Sequence, residues 1–332
     1  MKKTKNFFLY HLEDTTLNQT FTPLPLYTRP RDRHTHTQNN TTKNLSLRTT
    51  NNQKPTEEQN ILNKPWKVAI IGAGKMGESI ISGLLKSGTY TPKDIKAFEI
   101  IKSRRKYITQ TYKVECVDDA KKAVKFSDIT IIAVKPRHVG NVLEQIGPSM
   151  KTGKVLVSIA AGVTLEFLKK HLAENVPVIR VMPNIAVSVQ EAMIAICPSE
   201  NTTKEELRMV TETLSLLGRV IQLDERYLNL ATGLVGSGPA YIYLIIEALA
   251  DAGVRLGLPK DIAITLAAQT TLGAAKMVVE TGEHPAKLKD MVATPAGTTV
   301  EGLLELERGK LRAVIISAVT EAAEKAKRLQ PS

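Results

Sequence analysis

Short apolar runs alternate with segments of helical periodicity through the middle of the chain. Runs rich in β-branched residues predict strands over residues 67–71, 94–99, 128–134, 155–159, 178–181 and 192–196. Apolar positions on one helical face predict helices after the first strand as far as Gly88, and over residues 103–111, 139–146, 165–171 and 204–217. Because the strands are apolar throughout, the pattern predicts a doubly wound parallel sheet with helices on both faces.

The strand pattern ends near residue 225, and helices are predicted over residues 239–256, 260–280, 298–307 and 311–329. The stretch from Ile262 to Ala275 contains no charged residue, so this helix is apolar on nearly every side. Such a helix must be covered all round, which predicts partner helices that interleave across a homodimer or a higher homo-oligomer. The uncharged stretch 227–246 is long enough to cross a membrane, but its glycines, proline and polar residues indicate a core segment, and no membrane partner is expected.

The first 66 residues differ in composition from the rest. They contain no Gly, Ala or Val, and Thr and Asn supply 22 of the first 64 positions, so residues 1–66 are predicted to be a disordered extension. Ten Lys or Arg against five Asp or Glu place much of the net charge of +12 in this segment rather than on a basic face of a folded domain. We therefore expect no nucleic-acid partner. The preferred interpretation is a functionless extension or sequence upstream of the true start, with an organellar transit peptide as the alternative.

The chain has two cysteines, Cys116 and Cys197, and no cluster of residues with metal-ligand spacing. Two cysteines cannot form a disulfide framework in 332 residues. This usage predicts a reducing compartment, taken to be the cytoplasm, and no metal site.

A glycine-rich motif follows the first strand and opens the first helix. Residues 72–77 read Gly-Ala-Gly-Lys-Met-Gly, in the strand, turn and helix context typical of dinucleotide binding. Glycine allows the pyrophosphate to approach the helix N-terminus because no Cβ stands in the way. Glu99 ends the second strand 22 residues after Gly77, where a carboxylate often accepts hydrogen bonds from the ribose hydroxyls. The predicted cofactor-binding residues here are Gly72, Ala73, Gly74, Lys75, Met76, Gly77 and Glu99.

Unusual residues follow three further strands. Lys135 and Pro136 follow the strand at 128–134, Ala160, Ala161 and Gly162 follow the strand at 155–159, and residues 182–184, Met-Pro-Asn, follow the strand at 178–181. Ligands of open α/β sheets bind at the carboxyl ends of the strands. We therefore expect a binding site along this edge.

Seven segments, in order over residues 67–329, resemble the pyrroline-5-carboxylate reductase family. They are VAIIGAGKMGESIISGLLKSG (68–88), AVKP (133–136), VSIAAGVTLEFL (157–168), VIRVMPN (178–184), TGLVGSGPAY (232–241), LGAAKMVVETGEHPAKLKDMVATPAGTT (272–299) and the tail to Leu329. The resemblance implies a Rossmann domain at 67–224 and an all-helical dimerisation and substrate-binding domain at 225–330. It also implies hydride transfer from NADPH, with NADH as a further candidate, to 1-pyrroline-5-carboxylate, giving L-proline in the last step of proline biosynthesis.

The resemblance also assigns roles to residues. Ala133, Val134, Lys135 and Pro136, with Ala160, Ala161 and Gly162, would line the nicotinamide end of the cofactor. The substrate would be held by the block 292–299, with Val292, Thr294, Ala296, Gly297, Thr298 and Thr299 as its predicted binding residues. Ala296 stands where the family commonly has glycine, and Glu99 where many members have a hydroxyl residue or asparagine.

The substrate block is followed by a pattern that predicts a helix start. Thr298 and Glu301 have the spacing of a capping box, so Thr298 is expected to cap a helix whose free amides and positive dipole suit a carboxylate. Thr299 is then the catalytic candidate, as a hydroxyl partner for the ring nitrogen. Reduction of a protonated C=N bond needs hydride delivery and a stabilised iminium, and these require no His and Asp pair.

Two other functions remain open at the sequence level. A non-catalytic NADP-sensing dimer could use the same fold, although it has no need of a carboxylate-sized pocket. A relative of the β-hydroxyacid dehydrogenases would need a catalytic lysine in the helical domain, for which Lys276 is the best-placed residue.

The residues after the second strand give opposing indications about the preference between NADPH and NADH. Ser103, Arg104 and Arg105 lie four to six residues after Glu99 and could bind the 2′-phosphate of NADPH, whereas Glu99 would repel that phosphate. We expect use of both cofactors, with a smaller preference for NADPH than the family pattern implies.

Overall fold

The computed structural model describes residues 65–328. The predicted extension, residues 1–66, therefore lies outside the described residues apart from Pro65 and Trp66. The last two residues of the predicted domain 225–330 also lie outside them.

An eight-stranded sheet occupies the first part of the described chain, and its strand order is β3-β2-β1-β4-β5-β6-β7-β8. All neighbouring strands are parallel except β6 and β7. The strands are β1 Val68–Ile71, β2 Ile95–Phe98, β3 Glu115–Val117, β4 Ile129–Ile132, β5 Val155–Ser158, β6 Val178–Met182, β7 Ala192–Pro198 and β8 Gly218–Gln222.

The helices fall into two groups along the described chain. Those between the strands are α1 Lys75–Lys86, α2 Lys102–Tyr112, α3 Ala120–Phe126, α4 Val139–Ile146, α5 Leu165–Lys170 and α6 Lys204–Ser215. Those after the sheet are α7 Glu225–Ala231, a π-helical turn Thr232–Gly236, α8 Gly238–Arg255, α9 Lys260–Thr281, α10 Pro285–Val292, α11 Thr298–Arg308 and α12 Leu311–Lys327.

Alternate residues of the central strand β1 enter two different cores. Val68 and Ile70 pack in one cluster with residues of α1 and α6, whereas Ala69 and Ile71 pack in a second cluster with residues of α3 and α4. This follows from the two-residue repeat of a strand, which sends successive side chains to opposite faces. The prediction of a sheet covered on both faces is confirmed.

The antiparallel strand β7 departs from the predicted all-parallel sheet. Only nine residues, 183–191, connect β6 to β7, and five of them form a short 3₁₀ turn, Ile185–Val189. A parallel connection needs a crossover of a dozen or more residues, so the chain turns back beside β6 instead.

Five short elements, β3, β8, α3, α7 and α10, were not predicted from the periodicity. Strand β8 is one example: its residues are exposed or half-buried, so it lacks the apolar run that identifies the central strands. The helices among them have seven or eight residues and the strands three or five. Elements this short contain too few repeats of the hydrophobic pattern to be recognised from it.

The helices after the sheet bury mainly small side chains within one chain. Where α8 packs against α9, the buried cluster consists of Ala250, Ala263 and Ala267. Large apolar residues of the same helices are exposed, among them Leu244, Ile262, Leu266 and Leu272. By length and composition alone, Glu225–Arg255 and Lys260–Thr281 could cross a membrane. The exposed apolar residues of these helices are equally consistent with an interface that a second protein surface covers.

A buried charge network fixes this helical region to the sheet. The Arg180 side chain lies in β6 and is almost fully buried, and its guanidinium donates to Glu225 Oε1 at 2.9 Å and to Asn229 Oδ1 at 2.6 Å. The same Glu225 oxygen accepts the Leu165 N–H at 2.7 Å. Because a buried charge that loses its partner is costly, these contacts hold α7 in place against the carboxyl side of the sheet.

Candidate active site

The glycine-rich turn is packed too tightly for side chains at two of its positions. Gly72 has a φ of +102°, and an added Cβ would lie 2.8 Å from Val134 Cγ1 and 3.0 Å from the Ala133 carbonyl. At Gly77 an added Cβ would lie only 2.1 Å from the Gly72 carbonyl oxygen. The first and last glycines of the motif therefore serve the turn itself and its packing on the residues that follow β4.

The middle glycine, Gly74, is different because it faces open space. It is exposed, an added Cβ would meet no atom within 4 Å, and it is the N-cap of α1 without a side-chain cap. The first amides of a helix without such a cap can bind an anion, with the helix dipole favouring negative charge. The space above Gly74 and these amides together fit a dinucleotide pyrophosphate.

The turns that follow β1, β4 and β5 lie side by side. The Ala133 N–H donates to the Ile71 carbonyl at 2.8 Å, and the Ile159 N–H donates to the Ile132 carbonyl at 3.1 Å. The structure thus brings residues 72–77, 133–136 and 160–162 together along one edge of the sheet. Lys135 is exposed at the start of the short turn Pro136–His138.

Glu99 lies against the glycine-rich turn, at the end of β2. One carboxylate oxygen accepts the Ala73 N–H at 3.2 Å, and the other accepts the Ile101 N–H at 3.1 Å. Ile101 is the N-cap of α2 and has no side-chain cap of its own. The Glu99 carboxylate therefore bridges the turn after β1 and the turn after β2.

The two arginines after Glu99 are held by protein acceptors. The Arg104 Nε donates to the Ala73 carbonyl at 2.7 Å, and its guanidinium forms an ion pair with Glu78. Arg105 donates to the carbonyls of Glu99 and Ile100 at 2.7 and 2.8 Å.

Glu78 is ionised in this arrangement. Burial alone would raise the pKa of Glu78, but hydrogen bonds from Arg104 and Tyr112 outweigh this effect and lower the pKa below its ordinary value. Burial, together with the adjacent Glu78, raises the pKa of Tyr112 to about 12, so Tyr112 stays protonated and donates to Glu78 at 2.8 Å. Arg104 is therefore fixed by a charged partner beside the glycine-rich turn.

The substrate block forms the turn between α10 and α11, and the predicted capping box is wrong. Helix α11 begins at Thr298, its N-cap is Gly297, and no side chain caps it. The Gly297 N–H donates to the Thr294 carbonyl at 2.9 Å, which closes a turn one residue before the predicted cap. The helix start thus leaves its first amides uncapped, next to Thr298 and the half-buried Thr299.

The block is open to solvent within one chain. Val292 at the end of α10 is 66% exposed, and Thr294, Ala296 and Thr298 are also exposed. Its flanking helices pack mainly on other helices, α10 against α9 and α11 against α12.

Ala296 adopts a left-handed backbone conformation, with a φ of +56°. This region costs a residue with a Cβ roughly 1–2 kcal/mol, whereas glycine adopts it freely. The glycine that is common in the family at this position therefore suits the turn better than alanine.

Ala296→Gly is expected to stabilise the protein by about 0.5–1 kcal/mol, after allowance for the greater freedom of glycine in the unfolded chain. The measurement is chemical denaturation of the variant and the parent protein. Ala293→Gly is the control, because Ala293 has a φ of −84° and gains nothing from glycine. Equal destabilisation by both substitutions would show that Ala296 is unstrained.

The glycines of the segment 232–241 join the helical region to the sheet. An added Cβ at Gly233 would lie 2.6 Å from the Val319 carbonyl of α12, and one at Gly236 would lie 2.4 Å from Met182 Cε at the end of β6. The Thr232 hydroxyl donates to the Leu228 carbonyl at 3.0 Å. The π-helical turn thus lies directly against the strand end that carries the Met-Pro-Asn segment.

Sequence reasoning assigned no role to Arg180 or Glu78. A charged residue within an otherwise apolar strand is the signal that could have identified Arg180. Glu78 gave no comparable signal, because an acidic residue in the first turn of a helix is common in any case.

Two family profiles match the chain. Residues 225–329 match the profile described as pyrroline-5-carboxylate reductase dimerisation, and residues 67–162 match the profile described as NADP oxidoreductase coenzyme F420-dependent. The first match begins where α7 begins.

Curated relatives share most of their length with this chain. Pyrroline-5-carboxylate reductase of Methanosarcina acetivorans is 44% identical over 79% of this chain and 97% of the relative. The Arabidopsis thaliana enzyme of that name is 41% identical over 80% and 96%, and the Escherichia coli enzyme is 37% identical over 80% and 99%.

Solved structures of pyrroline-5-carboxylate reductases have the same fold as this chain. Plasmodium falciparum pyrroline carboxylate reductase, solved with NADP bound, matches with a TM-score of 0.74 and 28% identity, over 81% of this chain and 99% of that one. The enzyme from Streptococcus pyogenes matches with a TM-score of 0.71 and 31% identity, over 80% and 99%. The predicted Rossmann sheet followed by a helical dimerisation domain is confirmed, and the chain belongs to the pyrroline-5-carboxylate reductase family.

Proposed function

We propose that this protein reduces 1-pyrroline-5-carboxylate to L-proline by hydride transfer from NADPH or NADH, the last step of proline biosynthesis. The observation that carries the proposal is the presence on one chain of an open dinucleotide turn at Gly74 and a substrate block that ends at an uncapped helix N-terminus. Relatives named for this reaction, 37–44% identical, support it.

One domain binds the cofactor and the other binds the substrate. In residues 67–224, the amides at the start of α1 bind the pyrophosphate, while residues 133–136 and 160–162 line the nicotinamide end. In residues 225–330, the block 292–299 binds the substrate, with its carboxylate at the α11 amides. The cofactor supplies the hydride. Thr299 positions the ring nitrogen, and it is the catalytic residue if its hydroxyl contacts that nitrogen during transfer.

The dehydrogenase alternative receives little support from the position of its candidate lysine. Lys276 lies on an exposed face of α9, where it pairs with Glu280 at 3.7 Å, one helical turn away. Among the described residues, Lys276 makes no hydrogen bond or ion pair with the block 292–299. A non-catalytic sensor would retain the dinucleotide turn but lack turnover, so the assay below separates it from an enzyme.

We further propose that the protein is a cytoplasmic homodimer. Within one chain, the buried cluster between α8 and α9 contains only alanines, while their larger apolar residues are exposed. A second copy that covers these helices would bury that surface. Both described cysteines are free thiols, which suits a reducing compartment.

The experiment is a spectrophotometric assay of purified protein with 1-pyrroline-5-carboxylate and each nicotinamide cofactor. Oxidation of NADPH or NADH that requires the pyrroline supports an enzyme. Tight cofactor binding without pyrroline-dependent oxidation would support the sensor instead.

Thr299→Ala is expected to raise the KM for 1-pyrroline-5-carboxylate about two- to 150-fold and to leave the KM for the cofactor nearly unchanged. A polar contact of this kind contributes roughly 0.5–3 kcal/mol, depending on burial. Thr299→Ser should restore most of the affinity because it keeps the hydroxyl. Thr152→Ala, at an exposed position before β5 and outside the substrate block, is the control. Unchanged substrate kinetics in Thr299→Ala would place the ring nitrogen elsewhere.

A further inference from the structure

We propose that Glu99 sets the cofactor preference of this protein and that the protein binds the adenosine half of NADH at least as well as that of NADPH. The proposal rests on the proposed function only in taking the glycine-rich turn as the cofactor site. It concerns one chemical difference, the phosphate on the adenosine ribose.

The first argument is the position of the Glu99 carboxylate. It accepts the amides of Ala73 and Ile101, one from the glycine-rich turn and one from the start of α2. A carboxylate therefore already occupies two of the amide donors near the end of β2. A ribose 2′-phosphate would have to displace this carboxylate or lie against it.

The second argument is hydrogen-bond complementarity. A ribose with free 2′- and 3′-hydroxyls brings donors, and an ionised carboxylate is purely an acceptor with spare lone pairs. Glu99 can therefore bind the diol while it keeps the Ala73 and Ile101 amides. A phosphate brings only acceptors at neutral pH, so the same carboxylate offers it no favourable contact.

The third argument concerns the cations that would have to compensate. Arg104 is bound to Glu78 and the Ala73 carbonyl, and Arg105 is bound to the carbonyls of Glu99 and Ile100. To pair with a phosphate, Arg104 would have to leave a half-buried carboxylate whose lowered pKa reflects that pairing. The arginines thus serve mainly to hold the turn around Glu99.

The test is calorimetric binding of ADP-ribose and 2′-phospho-ADP-ribose to the full chain. Both ligands lack nicotinamide, and no pyrroline is present, so the result does not depend on the proposed reaction. We expect the parent protein to bind ADP-ribose at least as tightly as its phosphorylated form. In Glu99→Ser, the ratio of the two affinities should shift about tenfold toward the phosphorylated ligand.

Two further variants test whether the shift in the affinity ratio depends on the charge of Glu99 rather than on the overall charge of the protein. Glu99→Gln keeps the length and one oxygen acceptor, for the Ala73 or the Ile101 amide, but removes the charge, so it should shift the ratio in the same direction. Glu115→Gln removes an equal charge from the start of β3, where Glu115 is exposed and paired with Lys96, and it should leave the ratio unchanged. The ratio of kcat/KM for NADPH and NADH should follow the binding ratio in each variant.

The proposal is overturned if the parent protein binds 2′-phospho-ADP-ribose much more tightly than ADP-ribose, or if neither Glu99 variant changes the ratio. An equal shift in Glu115→Gln would also overturn it, because the effect would then be one of overall charge. Failure of the pyrroline assay, with the binding ratios as expected, would reject the proposed reaction and leave the role of Glu99 intact.

Discussion

Gly77→Ala is expected to destabilise the protein by about 3 kcal/mol or more and to weaken cofactor binding. The added Cβ would lie 2.1 Å from the Gly72 carbonyl oxygen and 3.1 Å from Ile70 Cγ2, so the turn after β1 must move. Overpacking of a tight core typically costs 1–3 kcal/mol and sometimes more, and here the obstacle is backbone. In a chain of this size the melting temperature should fall by about 6–12 °C. Displacement of the α1 amides by about 1 Å should weaken cofactor binding at least about 100-fold.

Gly74→Ala provides the matched comparison. Gly74 has an extended backbone that any residue adopts, and its added Cβ would meet no protein atom. This variant should lose cofactor affinity while the melting temperature stays within a few degrees of the parent. If Gly77→Ala were as stable as the parent, or if Gly74→Ala bound cofactor normally, the separate roles given to these two glycines would be wrong.

The double substitution Ile262→Asp with Leu266→Asp is expected to convert the proposed homodimer into a monomer and to lower the melting temperature. The two residues lie one turn apart on α9, and their side chains are 47% and 52% exposed in the single chain. If a second copy covers this face, the substitution buries two unpaired carboxylates at the interface, which costs several kcal/mol. Light scattering after gel filtration gives the mass, and thermal denaturation gives the stability.

A control at another surface makes this result interpretable. Val189, 62% exposed beside the sheet, tests whether an aspartate at any exposed apolar residue has the same effect. Val189→Asp should stay dimeric. A double variant that remained dimeric would show that this face of α9 is not covered by a second copy.

Local features of the fold were predictable because short segments of sequence determine them. Helix α4 covers Val139–Ile146, as its apolar spacing predicts, and the motif at residues 72–77 forms the expected turn from strand to helix. The glycines at 72 and 77 are required by atoms of the residues that follow β4, of β1 and of the turn itself. Their residue type therefore reports a packing constraint directly.

Features set by distant partners were not predictable in this way. Arg180 reaches Glu225, 45 residues later, and Arg104 reaches Glu78, 26 residues earlier, so no local pattern shows either pair. The N-cap of α11 was predicted at Thr298, one residue after the observed N-cap Gly297, because the turn closed by the Gly297 amide and the Thr294 carbonyl takes precedence over the threonine cap. The spacing of Thr298 and Glu301 alone contains no information about that turn.

The most direct test of the proposed function is isotope transfer. Purified protein is incubated with 1-pyrroline-5-carboxylate and NADPH that carries deuterium at both C4 positions, and the product is analysed by mass spectrometry and NMR. We expect L-proline with one deuterium at C5, formed in equal amount to the cofactor oxidised. Absence of proline, or proline without deuterium at C5, would contradict the proposed function.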